Sequence, residues 1–389
     1  MPALVPGDVV AVREDLGPGW RGLLETVWEA GAALFPMHPR LSSSEAGDLL
    51  ALARPTVVVD AAGASRVAGG APVEGDVAFL VATSGTAGTP KLVELARPAV
   101  TAAVAASAAA LGGDPRGTWL CCLPLGHVGG LLVVLRSVVL GAPVEIQARF
   151  DPRAVAEVAN VLWISLVPTM LARLLDAGSD LGTYSAILVG GGPLPEELRR
   201  RSAASGAHVV ETYGLTESSG GVVYDGRALP GVRVRTGEAG AIEIAGPTLM
   251  TGYRFDPAAT ASAFTADGWL RTSDAGAVDG EGRLRVLGRL DDVIVSGGEK
   301  IWPQDVEEAL GGHPKVAEVA VAGRPDPRWG SRVVAFVVPT DPASPPSLEE
   351  LRDFAGLRIA RFRAPRELIV AARLPRTATG KVRRSALTR

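Results

Sequence analysis

The stretch Thr83-Ser-Gly-Thr-Ala-Gly-Thr-Pro-Lys91 decides the fold class of this 389-residue chain. It follows an apolar run at residues 77–82, which predicts a buried strand. Hydroxyl groups, small residues and a terminal lysine are what a loop needs to surround a polyphosphate with backbone N–H groups. A Walker A loop would need Ser or Thr directly after Lys91, where this chain has Leu92. The stretch therefore predicts a phosphate-binding loop of another kind, with a plain surface turn as the alternative.

Five parts of the chain, in order, resemble motifs of the adenylate-forming superfamily, which includes acyl-CoA synthetases, peptide-synthetase adenylation domains and luciferases. They are the phosphate loop at 83–91, the adenine and magnesium motif at 211–217, the ribose motif at 268–274, the hinge at 288–292 with the thiolation loop at 296–303, and the C-terminal lysine loop at 374–381. The resemblance implies an α/β enzyme that uses ATP, Mg²⁺ and coenzyme A to activate a small-molecule carboxylic acid through an acyl-adenylate.

The order of predicted elements divides the chain into two domains. Up to about residue 290, β-branched runs alternate with alanine-rich stretches such as the helix predicted at 97–111. Residues 222–290 change to short strands between Gly and Asp turns, so we expect an antiparallel β subdomain there. We therefore expect a large adenylation domain at 1–290, in which helices flank the sheets, and a small mobile α+β domain at 291–389. The resemblance implies that Asp291 is the pivot between them.

Composition excludes several classes of protein. Hydrophobic residues make up 47% and charged residues 21% of the chain, as in ordinary globular proteins. A net charge of −3 provides no positive field for nucleic acid. The two adjacent cysteines, Cys121 and Cys122, cannot supply a disulfide framework or a four-ligand zinc site. No signal peptide or membrane span is recognisable, so a cytoplasmic enzyme is expected.

Only four of the 39 basic residues are lysines, and three of these, Lys91, Lys300 and Lys381, lie in or beside glycine-containing motifs. The planar fork of arginine cannot replace a compact ammonium group at such places. These three are therefore candidate functional lysines, although chance could give the same pattern. The resemblance implies that Lys381 is catalytic, because its ammonium would offset charge between the acyl carboxylate and the α-phosphate.

The resemblance also assigns the nucleotide site. Tyr213 would stack on adenine, Glu217 would be an oxygen ligand of Mg²⁺, and Asp274 would bind the ribose hydroxyls. An ordinary turn, a helix cap and a surface ion pair are the respective alternatives. The predicted cofactor-binding residues, for ATP and coenzyme A together, are Thr83, Ser84, Gly85, Thr86, Gly88, Thr89, Lys91, Gly191, Gly192, Pro193, Glu211, Thr212, Tyr213, Gly214, Thr216, Asp274, Arg289, Gly297, Gly298 and Lys300. The predicted catalytic residues are Lys381, His127, Thr86 and Glu217.

The acid is predicted from the acyl pocket. Segment 123–130 resembles the one whose histidine, here His127, closes the acyl and phosphate ends of the site; a structural histidine is the alternative. Segments 165–171 and 187–195 resemble those of o-succinylbenzoate–CoA ligases in menaquinone biosynthesis. That acid has a second carboxylate, for which Arg173 is the candidate partner and Arg136 its rival. The predicted substrate-binding residues are His127, Ser165, Thr169, Arg173, Gly190 and Gly214, of which Ser165, Thr169 and Arg173 are expected on one helical face.

About 80 residues precede the phosphate loop, fewer than is usual in the superfamily. Compact ligases of the o-succinylbenzoate type in high-GC actinobacteria share this trimming. The preferred prediction is therefore conversion of 2-succinylbenzoate into its CoA thioester. A generic aryl or medium-chain acyl-CoA ligase and a nucleotide-binding homologue without turnover stay open as alternatives. A homodimer is left open as well.

Overall fold

A computed structural model gives the fold and describes every residue except 14–16, 18, 84–89, 113–116, 377–381, 388–389 and the side chain of Ser385. The chain divides into two compact units. The first comprises Met1–Leu194, Arg201–Val234 and Ile244–Arg271, and the second comprises Pro195–Arg200, Arg235–Glu243 and Thr272–Arg389. The domain boundary at residue 290 stays a prediction.

The first sheet of the first unit has seven strands, of which the central ones are parallel. Val9–Val12 pairs in parallel with Ala33–Pro36, which pairs in parallel with Val77–Thr83. Both inner strands are fully buried, as expected for strands covered on two faces. From edge to edge the strands are Gly252–Tyr253, Lys91–Ala96, Val77–Thr83, Ala33–Pro36, Val9–Val12, Val57–Asp60 and Gly63–Arg66.

The second sheet also has seven strands, and its middle is again parallel. Val209–Leu215 pairs in parallel with Ala186–Val189, which pairs in parallel with Trp163–Leu166. From edge to edge the strands are Arg227–Ala228, Gly220–Tyr224, Val209–Leu215, Ala186–Val189, Trp163–Leu166, Trp119–Cys121 and Val144–Ile146.

The helices begin and end where the local sequence provides the signals. The helix predicted at 97–111 is confirmed as Arg97–Leu111, with Pro98 in its first turn and Gly112 at its C-cap. Ser42 and Glu45 form a capping box at the start of Ser43–Ala53. The α-helices are Trp20–Glu29, Ser43–Ala53, Arg97–Leu111, Val128–Val139, Pro152–Glu157, Pro168–Asp176, Glu196–Ala204, Pro257–Ala263, Pro303–Gly311 and Leu348–Gly356. Among these and the rest of the described chain, no helix has the length and apolar character needed to cross a bilayer.

Residues 222–290 contribute to three sheets. A four-stranded sheet contains, in order, Arg233–Thr236, Ala241–Ala245, Leu270–Val278 and Leu284–Arg289. Gly220–Tyr224 instead extends the second sheet, and Gly252–Tyr253 is an edge strand of the first. The sequence pattern of short strands and turns does not reveal this division, because it reports local structure and not pairing partners.

The C-terminal part of the second unit is a small α+β arrangement, as the order of its sequence elements predicts. Two helices, Pro303–Gly311 and Leu348–Gly356, share an apolar core with a five-stranded sheet. Glu367–Val370 adds to that sheet by parallel pairing with Gly330–Pro339. The five strands are Ile294–Ser296, Glu299–Ile301, Val316–Asp326, Gly330–Pro339 and Glu367–Val370.

Candidate active site

Several of the described site residues of the first unit lie at or just after the carboxyl ends of parallel strands. In the second sheet, His127 follows Trp119–Cys121 and the 190–193 loop follows Ala186–Val189. Residues 211–215 form the carboxyl part of Val209–Leu215, and residues 216–217 directly follow it. Because these strands are parallel, their carboxyl ends meet at one edge of the sheet. This edge is the usual ligand-binding side of α/β sheets.

Gly190 and Thr212 fit tightly against each other at that edge. A Cβ atom on Gly190 would overlap the Thr212 hydroxyl, which donates a hydrogen bond to the Val189 carbonyl at 3.3 Å. Gly191 follows with a φ of +78°, a backbone conformation that favours glycine. The loop with Gly192 and Pro193 can therefore turn sharply beside the predicted adenine strand.

Tyr213 lies at a bulge between Val209–Leu215 and Gly220–Tyr224. A Cβ atom on Gly214 would overlap the Gly220 carbonyl, so only glycine fits at this point of the bulge. At the other end of the pairing, the Glu211 amide donates to the Asp225 carboxylate at 2.8 Å. The half-buried Tyr213 ring thus stands on a strand whose backbone is fixed on both sides.

Glu217 lies in the short 3₁₀-helix Thr216–Ser218, directly after the bulged strand. Its carboxylate accepts a 2.9 Å hydrogen bond from the Tyr253 hydroxyl. Burial and then the Glu217 charge raise the pKa of Tyr253, so the hydroxyl keeps its proton and donates. No group of three His, Cys, Asp or Glu side chains suited to a metal occurs among the described residues. A single carboxylate still fits Mg²⁺, which commonly binds one or two protein carboxylates together with substrate phosphates.

The predicted phosphate loop connects two antiparallel strands of the first sheet. Thr83 ends Val77–Thr83 and pairs with Lys91, the first residue of Lys91–Ala96. The Thr83 hydroxyl donates to the Lys91 carbonyl at 3.4 Å. The Lys91 ammonium lies 4.5 Å from the centre of the Tyr253 ring. Between the paired ends, the predicted ligands Ser84, Gly85, Thr86, Gly88 and Thr89 lie outside the described residues.

His127 is the N-cap residue of Val128–Val139, and its ring packs against a second histidine. The ring centres of His38 and His127 are 5.2 Å apart. A Cβ atom on Gly126 would lie 2.8 Å from the His38 backbone nitrogen, so only glycine allows this approach. Because His38 follows Ala33–Pro36 of the first sheet, this contact joins the carboxyl edges of both sheets.

The prediction of one helical face shared by Ser165, Thr169 and Arg173 is wrong for Ser165. That residue lies in the strand Trp163–Leu166. The helix begins only at Pro168, because the residue before a proline prefers extended backbone. Thr169 is exposed in its first turn. Arg173 is exposed one turn later, about 6 Å further along the axis, with its guanidinium 4.9 Å from the centre of the Phe150 ring.

Arg136, the rival cation, is 2% exposed and belongs to a buried polar network. Its guanidinium donates to the Leu132 carbonyl at 2.7 Å and to the Ser107 hydroxyl at 2.6 Å. Ser107 in turn shares a 2.7 Å hydrogen bond with the Tyr224 hydroxyl. The guanidinium also stacks 3.9 Å from the centre of the Trp119 ring. The structure therefore uses Arg136 in packing and not as a partner for a ligand carboxylate.

Two buried thiols lie below the same edge. Burial raises the pKa of Cys121 and of Cys122 to about 12. The Cys122 thiol points to the Ser165 carbonyl, at 4.0 Å. Both are therefore protonated at neutral pH, which agrees with packing and not with nucleophilic chemistry.

In the second unit, Asp274 and Arg289 face each other on paired strands. The Arg289 guanidinium lies 3.7 Å from the Asp274 carboxylate and 3.4 Å from that of Asp291. The predicted ribose ligand Asp274 and the predicted cofactor-binding residue Arg289 are thus neighbours, and the second contact reaches the predicted pivot. The ion-pair alternative and the nucleotide role agree equally with this geometry.

The predicted thiolation loop is a two-residue hairpin between Ile294–Ser296 and Glu299–Ile301. Gly297 and Gly298 have φ values of +61° and +86°, the positive pair that a type I′ turn requires. Lys300 is exposed on the second strand. The Gly297 amide donates to the Trp329 carbonyl at 2.8 Å, so the turn is fixed and Lys300 places a cation beside it.

The C-terminal lysine loop connects two paired residues, Arg376 and Val382. Leu374 and Leu387 are buried on either side of it in one apolar cluster. Lys381 itself lies outside the described residues. Its catalytic role stays a prediction.

The sequence did not identify Tyr253 or His38, although both contact predicted site residues. Each stands in a short, ordinary segment without glycine-rich or repeated character. A Gly252-Tyr253 pair on a two-residue strand provides no local signal. Only long-range contacts reveal these two residues.

We predict that Gly190→Ala weakens ATP binding and lowers Tm, because the added methyl group overlaps the Thr212 hydroxyl at an overpacking cost of about 1–3 kcal/mol. Calorimetric titration with ATP and a thermal melt measure both effects. The double variant Gly190→Ala/Thr212→Ala should recover the Tm lost in Gly190→Ala, since the second substitution removes the overlapping hydroxyl.

The control is Gly47→Ala, whose added methyl group meets open space in the helix Ser43–Ala53. It should leave ATP binding unchanged. Wild-type affinity and Tm in Gly190→Ala would contradict the tight fit at this edge.

Comparison with known proteins identifies the family. The AMP-binding enzyme family matches residues 66–233, and the AMP-binding enzyme C-terminal domain matches residues 305–381. The chain is 43% identical to a protein of Mycobacterium tuberculosis named probable 2-succinylbenzoate–CoA ligase, over 92% of this chain and 96% of the relative.

Solved structures give the same result. The o-succinylbenzoate CoA synthetase (MenE) of Bacillus subtilis in complex with the acyl-adenylate intermediate OSB-AMP has a TM-score of 0.88 and 30% identity, covering 99% of this chain and 89% of that one. The same enzyme with ATP and magnesium ion has a TM-score of 0.87 and 30% identity, covering 98% and 90%. The predicted adenylate-forming fold is confirmed. The chain therefore belongs to the AMP-binding enzyme family, the adenylate-forming acyl-CoA synthetases that include the 2-succinylbenzoate–CoA ligases.

Proposed function

We propose that the chain is an AMP-forming acid–thiol ligase that converts 2-succinylbenzoate into 2-succinylbenzoyl-CoA, a step of menaquinone biosynthesis. The observation that carries the reaction class is that Lys91, Glu217 and His127 lie in one unit. Lys91 pairs with the carboxyl end of Val77–Thr83, and Glu217 and His127 follow strands of the second sheet. The choice of acid is supported by 43% identity to the Mycobacterium tuberculosis relative. ATP, Mg²⁺ and coenzyme A follow from the same relationship.

The first half-reaction joins the acid to AMP. A carboxylate oxygen of the acid attacks the α-phosphorus of ATP, so a new O–P bond forms and the bond to pyrophosphate breaks. Lys91 would hold the phosphates by charge, and Glu217 would hold Mg²⁺. When bound, Mg²⁺ neutralises phosphate charge and aligns the leaving pyrophosphate. Lys381 would offset the charge that gathers between carboxylate and phosphate.

The second half-reaction transfers the acyl group to coenzyme A. The thiol loses its proton, its sulfur attacks the acyl carbon, and AMP leaves with the electrons of the broken C–O bond. We propose that the Gly297–Gly298 hairpin and Lys300 guide coenzyme A to the adenylate. The small domain at 291–389 would pivot on Asp291 to exchange Lys381 for this hairpin.

We also propose that the enzyme acts in the cytoplasm on small molecules. A net charge of −3 supports the absence of a nucleic-acid partner. A homodimer stays open.

An acid panel tests the proposed function. Pyrophosphate release and CoA-thioester formation should be more than about 100-fold faster in kcat/KM with 2-succinylbenzoate than with benzoate or octanoate, because a site built to bind a polar group discriminates strongly against analogues that lack it. Equal rates would identify a generic acyl-CoA ligase. Absence of pyrophosphate with every acid would identify a homologue without turnover.

The two half-reactions should separate in two variants. Lys381→Ala should slow adenylation by roughly 100-fold or more, the usual loss for a preorganised charge, and leave thioesterification of supplied acyl-adenylate intact. Lys300→Ala should slow thioesterification and spare adenylation. Rapid-quench measurement of each half-reaction tests both. Equal losses in both half-reactions of either variant would contradict the pivoting domain.

Arg173 remains the proposed partner of the distal carboxylate, because its guanidinium is exposed while that of Arg136 is buried and hydrogen-bonded. Arg173→Ala should lower kcat/KM for 2-succinylbenzoate. The corresponding loss of transition-state stabilisation should be about 1.5–3 kcal/mol, the value of a hydrogen bond to a charged group. The KM for ATP should not change.

Arg136→Ala is the matched control. It should destabilise the fold by about 2–4 kcal/mol through a cavity and lost hydrogen bonds, and affect all acids alike. A loss confined to 2-succinylbenzoate in Arg136→Ala, with Arg173→Ala silent, would reverse the assignment.

A further inference from the structure

Tyr253 contacts two residues that the proposed function uses for ATP, yet it lies in none of the five motifs. Glu217 precedes it by 36 residues in the chain, and Lys91 lies far earlier. The tyrosine stands on the edge strand Gly252–Tyr253 of the first sheet, opposite Val93. Both contacts lie inside the first unit.

The hydroxyl end of Tyr253 holds the carboxylate. It donates a 2.9 Å hydrogen bond to Oε1 of Glu217. Among the described residues, it is the one side-chain group that hydrogen-bonds this carboxylate. The backbone beside it is tied as well, since the Met250 amide donates to the Glu217 carbonyl at 2.8 Å. Glu217 is therefore oriented by the segment that carries Tyr253.

The ring face of Tyr253 holds the cation. The Lys91 ammonium lies 4.5 Å from the ring centre, within the range of a cation–π interaction. A phenol ring is neutral, so it accepts the ammonium on its face and still donates from its edge to an anion. One side chain thus contacts both a positive and a negative group, which would otherwise attract each other directly.

The position of Tyr253 is fixed by its neighbours. Its amide donates to the Thr260 hydroxyl at 2.9 Å, and a Cβ atom on Gly252 would lie 2.9 Å from the same side chain. The next residue, Arg254, is buried and donates to the Glu94 carboxylate at 3.0 Å and the Ala53 carbonyl at 2.7 Å. The tyrosine therefore stands on a rigid base.

We propose that Tyr253 is a positioning residue that keeps the Glu217 carboxylate and the Lys91 ammonium apart and aimed at one magnesium-bound polyphosphate. This inference rests on the proposed function. Loss of the hydroxyl removes the donor that orients the Glu217 carboxylate toward Mg²⁺, whereas Lys91 keeps its place on the ring face. Loss of the ring also removes the support of Lys91.

Two substitutions separate these contributions. Tyr253→Phe keeps the ring and removes the hydroxyl, so calorimetric titration should show about tenfold weaker binding of ATP with Mg²⁺ and unchanged binding of ATP with EDTA. Tyr253→Leu removes the ring as well and should weaken ATP binding in both conditions. The Mg²⁺ concentration for half-maximal pyrophosphate release should rise in Tyr253→Phe. Its rate of thioesterification from supplied acyl-adenylate should stay that of the wild type.

Two controls test whether the effect of Tyr253→Phe is specific to this site and acts through Glu217. Tyr184→Phe is a matched change at a buried tyrosine outside the site, and it should bind ATP with Mg²⁺ as the wild type does. In the Glu217→Gln background, adding Tyr253→Phe should change ATP affinity less than about twofold, because coupled residues are not additive.

Three outcomes would overturn the inference and leave the proposed function standing. Wild-type affinity for ATP with Mg²⁺ in Tyr253→Phe is one, and full additivity with Glu217→Gln is another. An equal loss with and without Mg²⁺, together with a lowered Tm, would show that the hydroxyl serves the fold. Failure of the wild-type chain itself to bind ATP with Mg²⁺ would instead refute the proposed function, and the inference with it.

Discussion

The close approach of Gly126 to the backbone of His38 joins the two large sheets at their carboxyl edges. One sheet brings the ends of the phosphate loop to its edge, and the other brings the adenine strand, the 190–193 loop and His127. A side chain at position 126 would push these edges apart. The geometry of the candidate site in this unit therefore depends on a contact that only glycine permits.

Motifs with local character could be predicted from the sequence. The helix Arg97–Leu111 has start and stop signals in the chain itself. Residues 296–303 are identified from the sequence only as a loop, and the hairpin at Gly297 and Gly298 is known from the structure. The prediction for Ser165, Thr169 and Arg173 was wrong because residues four apart share a face only when all of them lie in one helix. Pro168 was the signal that a strand precedes the helix.

Other features depend on packing, which a single sequence does not contain. Nothing around Arg136 distinguishes a buried guanidinium from an exposed one, since the only other polar side chain in Val128–Val139 is that of Ser137 and neither residue is part of a polar face. Its hydroxyl partners come from a different helix and a different strand. Tyr253 is a similar case, because its importance arises from residues that are distant in the chain. Resemblance to family motifs identifies local segments of the chain, whereas contacts of this kind need coordinates.

The two adjacent free cysteines, Cys121 and Cys122, have a practical consequence for testing the proposed motion of the small domain. Burial raises the pKa of both thiols to about 12, so at neutral pH, about five units lower, both are protonated. A maleimide dye reacts with thiolate, so the native chain offers almost no background labelling. Single cysteines placed on exposed positions of each unit could carry a donor and an acceptor dye without removal of Cys121 or Cys122. Because the native thiols are buried, distances between two introduced dyes could be measured during turnover in the otherwise unchanged chain.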